Sequence, residues 1–264
     1  MLVASESLYL SHILSYVRAG RFAGLSNAFL RRLGEEIDFY PGLPGFFEQV
    51  RKEFASIPRY AEHDISVEHY VISSGLRQMI LGSSIAAYVD DVWACEFSEE
   101  TAPPGYLDDP RLAITEEPEI AQVLYTIDNT TKTRAVFEIN KGTNKEPSID
   151  VNAKVRPEDR RVPFHNMIYV ADGPSDIPVF SIVRRYGGKT YAVYESGNEA
   201  QFAQANRLQE QGRVHAIGPA SYEDRSHSYM WLTQQVDQIA KRIVAERTQA
   251  IADRLGPPPR HLDE

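Results

Sequence analysis

Asp172 and Asp176 close the stretch Met167 to Asp176, in which a short apolar run, Met167 to Ala171, meets an acidic turn bent by Gly173 and Pro174. Two carboxylates at the carboxyl end of a buried parallel strand are positioned to hold a hard cation such as Mg²⁺ through oxygen ligands. The same residues also suit an ordinary β-turn, since Asp, Gly, Pro and Ser favour turns on backbone geometry alone. Ser73, followed by Ser74 and Gly75, ends a second apolar run and offers a hydroxyl beside backbone amides at a helix start, which is an anion cradle or simply a helix cap. Lys141 offers a cation that can neutralise a phosphoryl group or a carboxylate, or is one more solvated surface charge. In chain order these are an anion cradle, a cation and a pair of metal ligands.

The elements that must position them follow from periodicity. Residues 1–40 read as helical: Leu8, Leu10, Ile13, Leu14 and Val17 share one face, and Leu25, Phe29, Leu33 and Ile37 recur after Ser26, a capping residue. Pro44 suits the first turn of a helix carrying Phe47, Val50 and Phe54. A strand from His69 to Ser73, a helix from about Leu76 to Tyr88 and a strand from Val92 to Phe97 make a strand–helix–strand unit, the building block of parallel sheets. Residues 98–120 are acidic and proline-rich, an expected loop or small β excursion, and Thr130 to Ile139 is ambiguous between helix and strand. After the strand at Met167 come a helix over Ile177 to Tyr186, a strand over Thr190 to Tyr194, a helix over Glu199 to Gln211 and a strand over Val214 to Ile217. The final helix aligns Leu232, Val236, Ile239 and Ile243, a stripe that belongs to the core or to a homodimer contact. This alternation predicts an α/β fold with a doubly wound parallel sheet.

Bulk properties exclude several classes. The 264 residues are 42% hydrophobic and 25% charged, a globular composition. A net charge of −9 argues against broad binding to nucleic acid or anionic membranes. Cys95 is the single cysteine, so the chain has no internal disulfide and no cysteine-rich zinc site. No apolar run reaches the roughly 18 residues that would span a membrane, and Met1 to Glu6 lacks the pattern of a secretion signal. A cytoplasmic protein is the expectation. No Gly-x-Gly-x-x-Gly or Walker-type stretch supports a generic nucleotide-binding protein.

Three segments together resemble the haloacid dehalogenase (HAD) superfamily of phosphohydrolases, most closely its phosphoserine-phosphatase-like branch. Val71 to Leu76 is similar to the family's second motif, Thr131-Lys132-Thr133 with Ile139 to Gly142 to its third, and Ile168 to Asp176 to its fourth. The likeness runs from about residue 40 to residue 195. It implies a Mg²⁺-dependent hydrolase of a small phosphomonoester that works through an aspartyl-phosphate. By that resemblance Ser73, with Ser74 and Gly75, binds the phosphoryl oxygens, Lys141 bridges phosphate and nucleophile, and Asp172 ligates Mg²⁺ with Asp176 completing the shell. Residues 1–40 would be a helical cap remnant, 41–256 the HAD-like core and 257–264 a polar tail. Ala171 replaces the Gly usual before the first Asp, a change that a strand end tolerates.

One departure matters more. The family's first motif, Asp-x-Asp followed by a small residue and Thr, supplies the attacking carboxylate and lies at the end of the middle strand of the sheet. Nothing like it precedes Ser73. Asp90 and Asp91 come after the second motif and lack the Thr, so they read as a polar turn. The expectation is therefore a HAD-like core without its central first strand, inactive as these 264 residues stand. It would be an N-terminally shortened form of a longer phosphatase or, alternatively, a non-catalytic pseudoenzyme that binds or interacts.

Overall fold

A computed structural model describes residues 5–99, 108 and 118–255. The tail 257–264 and most of the acidic stretch 98–120 lie outside the described residues. Two three-stranded sheets form the framework. In the first, β1 (Tyr70–Leu76) runs parallel to β2 (Asp91–Ser98), and β2 pairs antiparallel with β3 (Gln122–Tyr125). In the second, β4 (Ile168–Ala171), β5 (Lys189–Tyr194) and β6 (Ala216–Pro219) are all parallel, with Ile168 opposite Lys189 and Tyr191 opposite Ala216. The expected parallel α/β pairing is thus present within each sheet. Among the described residues the strands do not join into a single continuous doubly wound sheet, since β1 pairs with β2 and β4 with β5 and no strand links β1 to β4.

Helices α1 (Ser5–Arg18) and α2 (Asn27–Leu33) precede the first sheet. Ser26 caps α2 by accepting the Phe29 amide at 3.1 Å, as its position predicts. Leu10, Leu14, Val17 and Leu30 are buried in one cluster with Trp93 and Cys95 of β2, so these helices share a core with the sheet. Helix α5 (Arg77–Gly82) is much shorter than the periodicity suggests and crosses α2 closely. A Cβ on Gly82 would fall 1.7 Å from the Arg31 carbonyl oxygen, so this crossing demands glycine.

Helix α6 (Thr131–Lys141) resolves the ambiguous segment and ends where Gly142 adopts a left-handed conformation (φ 86°). It is joined by α7 (Ile177–Arg185) on one face of the framework. On the other face, α3 (Gly45–Ala55) and α4 (Pro58–Ala61) pack against α9 (His227–Leu255), burying Phe46, Val50, Phe54, Tyr60 and Leu232. The α9 stripe is therefore a core feature. Helix α8 (Glu199–Glu210) covers the second sheet through Ala205 and Leu208. No helix among the described residues is long and apolar enough to cross a membrane.

Strands β1 and β4 run in the same direction. Arg161, ahead of β4, pairs with Glu68, ahead of β1. Just after α6, Lys145 lies 5.9 Å from the Tyr70 ring, and Asn140 in the last turn of α6 donates to the Val162 carbonyl at 2.8 Å. Both strands therefore begin at the carboxyl end of α6. Between them lies a cavity of about 570 Å³.

Candidate functional site

The carboxyl end of β4 carries a buried ion pair. Asp128 opens α6 by accepting the amides of Thr130 (2.8 Å) and Thr131 (2.7 Å), while its own amide donates to Thr131 Oγ1 at 2.6 Å. These reciprocal bonds, with the Thr131 amide leading, hold the Asp128 carboxyl below its ordinary pKa. They also fix the first turn of α6, so Lys132 projects toward the end of β4. There its Nζ meets both Asp176 oxygens, at 2.9 and 3.0 Å, with Asp176 2% exposed.

Tyr169 donates to Asp176 Oδ1 at 2.5 Å, and Ser175 Oγ donates to Oδ2 at 2.8 Å. Burial first, then the Asp176 charge, raises the Tyr169 pKa strongly, so this hydroxyl stays a donor. Asp176 stands at the N-cap position of α7 yet makes no side-chain cap bond there. Its carboxylate is committed to Lys132 instead. A lysine in the first turn of a helix is also unfavourable against the helix dipole, which makes the carboxylate partner necessary.

The two carboxylates of the turn are thus unlike. Asp172 is exposed, and its backbone carbonyl accepts from Gln204 Nε2 at 3.1 Å. Its charge adds to burial in raising the pKa of Tyr40 and Tyr222. Ser73 is half-buried and its Oγ accepts the Gly75 amide at 3.0 Å, closing its own turn. The register between β1 and β2 slips between Ile72 and Leu76, so Ser73, Ser74 and Gly75 form an irregularity inside β1. They do not stand at a helix start, since α5 begins at Arg77. The Ser74 carbonyl accepts from the Tyr9 hydroxyl at 2.6 Å.

Lys141 is not brought to this end. It sits in the last turn of α6, nine residues and about 14 Å along the axis from Lys132 at roughly 1.5 Å per residue. Its Nζ donates to the carbonyls of Val151 (2.5 Å) and Ala153 (2.7 Å). The cation beside the acidic turn is Lys132, which lies within the Thr131-Lys132-Thr133 segment but to which the resemblance gives no role. Its signal in the sequence is the Asp128-x-x-Thr131 cap, which marks where α6 starts and hence which lysine lies in the first turn.

Magnesium demands several oxygen ligands in near-octahedral array. Among the described residues no three His, Cys, Asp or Glu side chains gather in a metal-binding group. Asp176 is saturated by Lys132, Tyr169 and Ser175, which leaves Asp172 the free carboxylate of the turn. These residues alone do not fit a resident Mg²⁺.

Fold and site together define a mixed α/β protein with parallel-stranded sheets and a buried charge pair at the end of one strand. No protein-family model matches the chain, and no solved structure matches it. Over 240 residues it is 37% identical to a protein of Borreliella burgdorferi described as an uncharacterized protein, a match covering 89% of this chain and 79% of that protein. The chain belongs to the family of that protein.

Proposed function

We propose that the chain is the core of a HAD-type phosphomonoester hydrolase which, with no Asp-x-Asp-x-Thr stretch ahead of Ser73, binds an anionic phosphoryl group without turning it over. The buried Lys132–Asp176 pair at the carboxyl end of β4 carries this reading. Desolvating such a pair costs several kcal/mol per ion, which mutual attraction and added hydrogen bonds must offset, so a buried pair is weak evidence of a purely stabilising role. Reception of phosphoryl oxygens is another role open to it. Lys132 has three donors: two are on Asp176, and the third reaches Ser175 Oγ at the longer distance of 3.3 Å. That third donor is the one a phosphoryl oxygen would take. Lys132 then fills the role that the resemblance gives to Lys141.

The inner edges of β1 and β4, unpaired among the described residues, support the same reading, since they suit a HAD-like sheet without its middle strand. Mg²⁺ joins this proposal only with oxygen ligands beyond Asp172, and no step is derived through it. A HAD-like pseudoenzyme that has lost catalysis altogether and serves as a binding or interaction protein is the second reading, favoured by the saturation of Asp176.

Incubation with phosphoserine and p-nitrophenyl phosphate, with Mg²⁺ or with EDTA, tests the proposal. The expected result is no hydrolysis above buffer, together with a rise in Tm on adding inorganic phosphate, as binding to the folded state requires. Turnover abolished by EDTA and by Asp172→Asn would overturn the inactive assignment. A Tm indifferent to saturating phosphate would remove the phosphate site itself.

A further inference from the structure

The cavity between the two sheets has walls of two kinds. Its faces are apolar: Val136 and Ile139 of α6 on one side, and Val50 of α3 with Leu232, Val236 and Ile239 of α9 on the other. Its two sides are the inner edges of β1 and β4, lined by Tyr70 and Ile72 and by Ile168 and Val170. Among the described residues no backbone hydrogen bond joins these edges to each other or to a third strand. Peptide groups on those edges face an otherwise apolar space, and buried backbone groups are almost always paired.

We propose that this slot receives one extended polypeptide segment, lying parallel to β1 and β4 and hydrogen-bonded to both. A fatty chain or other apolar ligand would cover the faces and leave both rows of amides and carbonyls without partners. Water would pair those rows and leave the faces wet. A peptide backbone satisfies both demands, because its own donors and acceptors repeat at the strand spacing on either side. Its orientation follows from β1 and β4 running the same way, so one strand can pair parallel with both and join the two sheets into a continuous one. Its side chains follow from the apolar faces above and below: such a strand is apolar at nearly every position, as in parallel sheets covered on both sides. Its amino end lies by Glu68, His69 and Arg161, where the slot turns polar. The partner is therefore a short, apolar, β-branched segment of polypeptide captured by strand addition.

This inference does not rest on the phosphohydrolase reading, and the response to inorganic phosphate is scored separately in the same protein. The test is hydrogen–deuterium exchange of the full chain with a capped peptide of about five alternating valines and isoleucines flanked by arginines. The expected result is that exchange slows about tenfold or more at Tyr70–Ile72 and at Ile168–Val170 together, with a rise in Tm. The same peptide N-methylated at alternate amides is expected to do neither. Three results would each overturn the proposal: no protection of either strand, protection of one strand alone, which is ordinary edge addition, or equal protection by dodecanoate, which would make the slot a site for apolar ligands.

Discussion

The two sheets end differently at their carboxyl edges. Strand β4 runs into a turn whose buried carboxylate is held by Lys132, Tyr169 and Ser175, groups drawn from a strand, a turn and a helix more than 40 positions away. Strand β1 runs into a bulge whose Ser73 hydroxyl bonds the amide two residues on. One end commits two charges to each other over long range, and the other closes its Ser73 hydroxyl locally and takes a single long-range bond, from the Tyr9 hydroxyl to the Ser74 carbonyl. A charge pair assembled from distant segments is the stronger pointer to chemistry, because a local turn needs no such assembly.

The largest expected effect breaks the β4 end. Lys132→Met leaves Asp176 buried without its cation, and loss of one partner of a buried pair costs about 3–5 kcal/mol. Asp176→Leu combined with Lys132→Met removes both charges and is expected to recover most of that loss, while any Tm response to phosphate stays absent. Urea unfolding of the single and double variants measures this. A double variant no more stable than the single one would mean that the two charges do not act as a unit.

The next effect belongs to the β1 side. His69, just ahead of β1, stacks on Phe47 with ring centroids 4.5 Å apart, and its Nε2 lies 3.2 Å from the Phe47 carbonyl oxygen. Burial, with the nearby Arg51 charge, pushes its pKa down to about 4. The unfolded chain takes up this proton near pH 6.5 and the folded chain only near pH 4, so stability is full above pH 6.5 and falls between those values. The expected loss is about 3 kcal/mol, because each tenfold weakening of proton affinity on folding corresponds to roughly 1.4 kcal/mol. In His69→Gln the part of the acid sensitivity between pH 6.5 and 4 should shrink accordingly. An unchanged slope would place the responsible group elsewhere.

The contrast between the two ends also marks what is legible in the sequence. The β4 strand, its acidic turn, the Ser26 cap and the α9 stripe can be read from local pattern, since each is fixed by neighbours in sequence. Strand β3 cannot: Gln122–Tyr125 is a largely exposed strand without alternation, and it exists because β2 offers it an edge. Helix α5 ends early because Gly82 is shaped by the α2 backbone crossing it, a tertiary demand that periodicity does not carry. The difference between Asp172 and Asp176 is equally hidden, because it depends on where α6 starts and not on the turn that contains them.

The smallest effect decides between the two lysines. Lys141 is half-exposed, and its hydrogen bonds go to the carbonyls of Val151 and Ala153, which water can satisfy when the side chain is removed. Lys141→Ala is therefore expected to cost at most about 1 kcal/mol, the range of a typical exposed hydrogen bond, and to leave any Tm response to phosphate intact. Lys132→Met/Asp176→Leu should lose that response although its fold is restored. The measurement is phosphate-induced Tm shift in both proteins, each first shown by circular dichroism to be folded. Loss of the shift in Lys141→Ala, with retention in the double variant, would move the anion site to the far end of α6. It would return to Lys141 the role that its place in the third motif-like segment suggests.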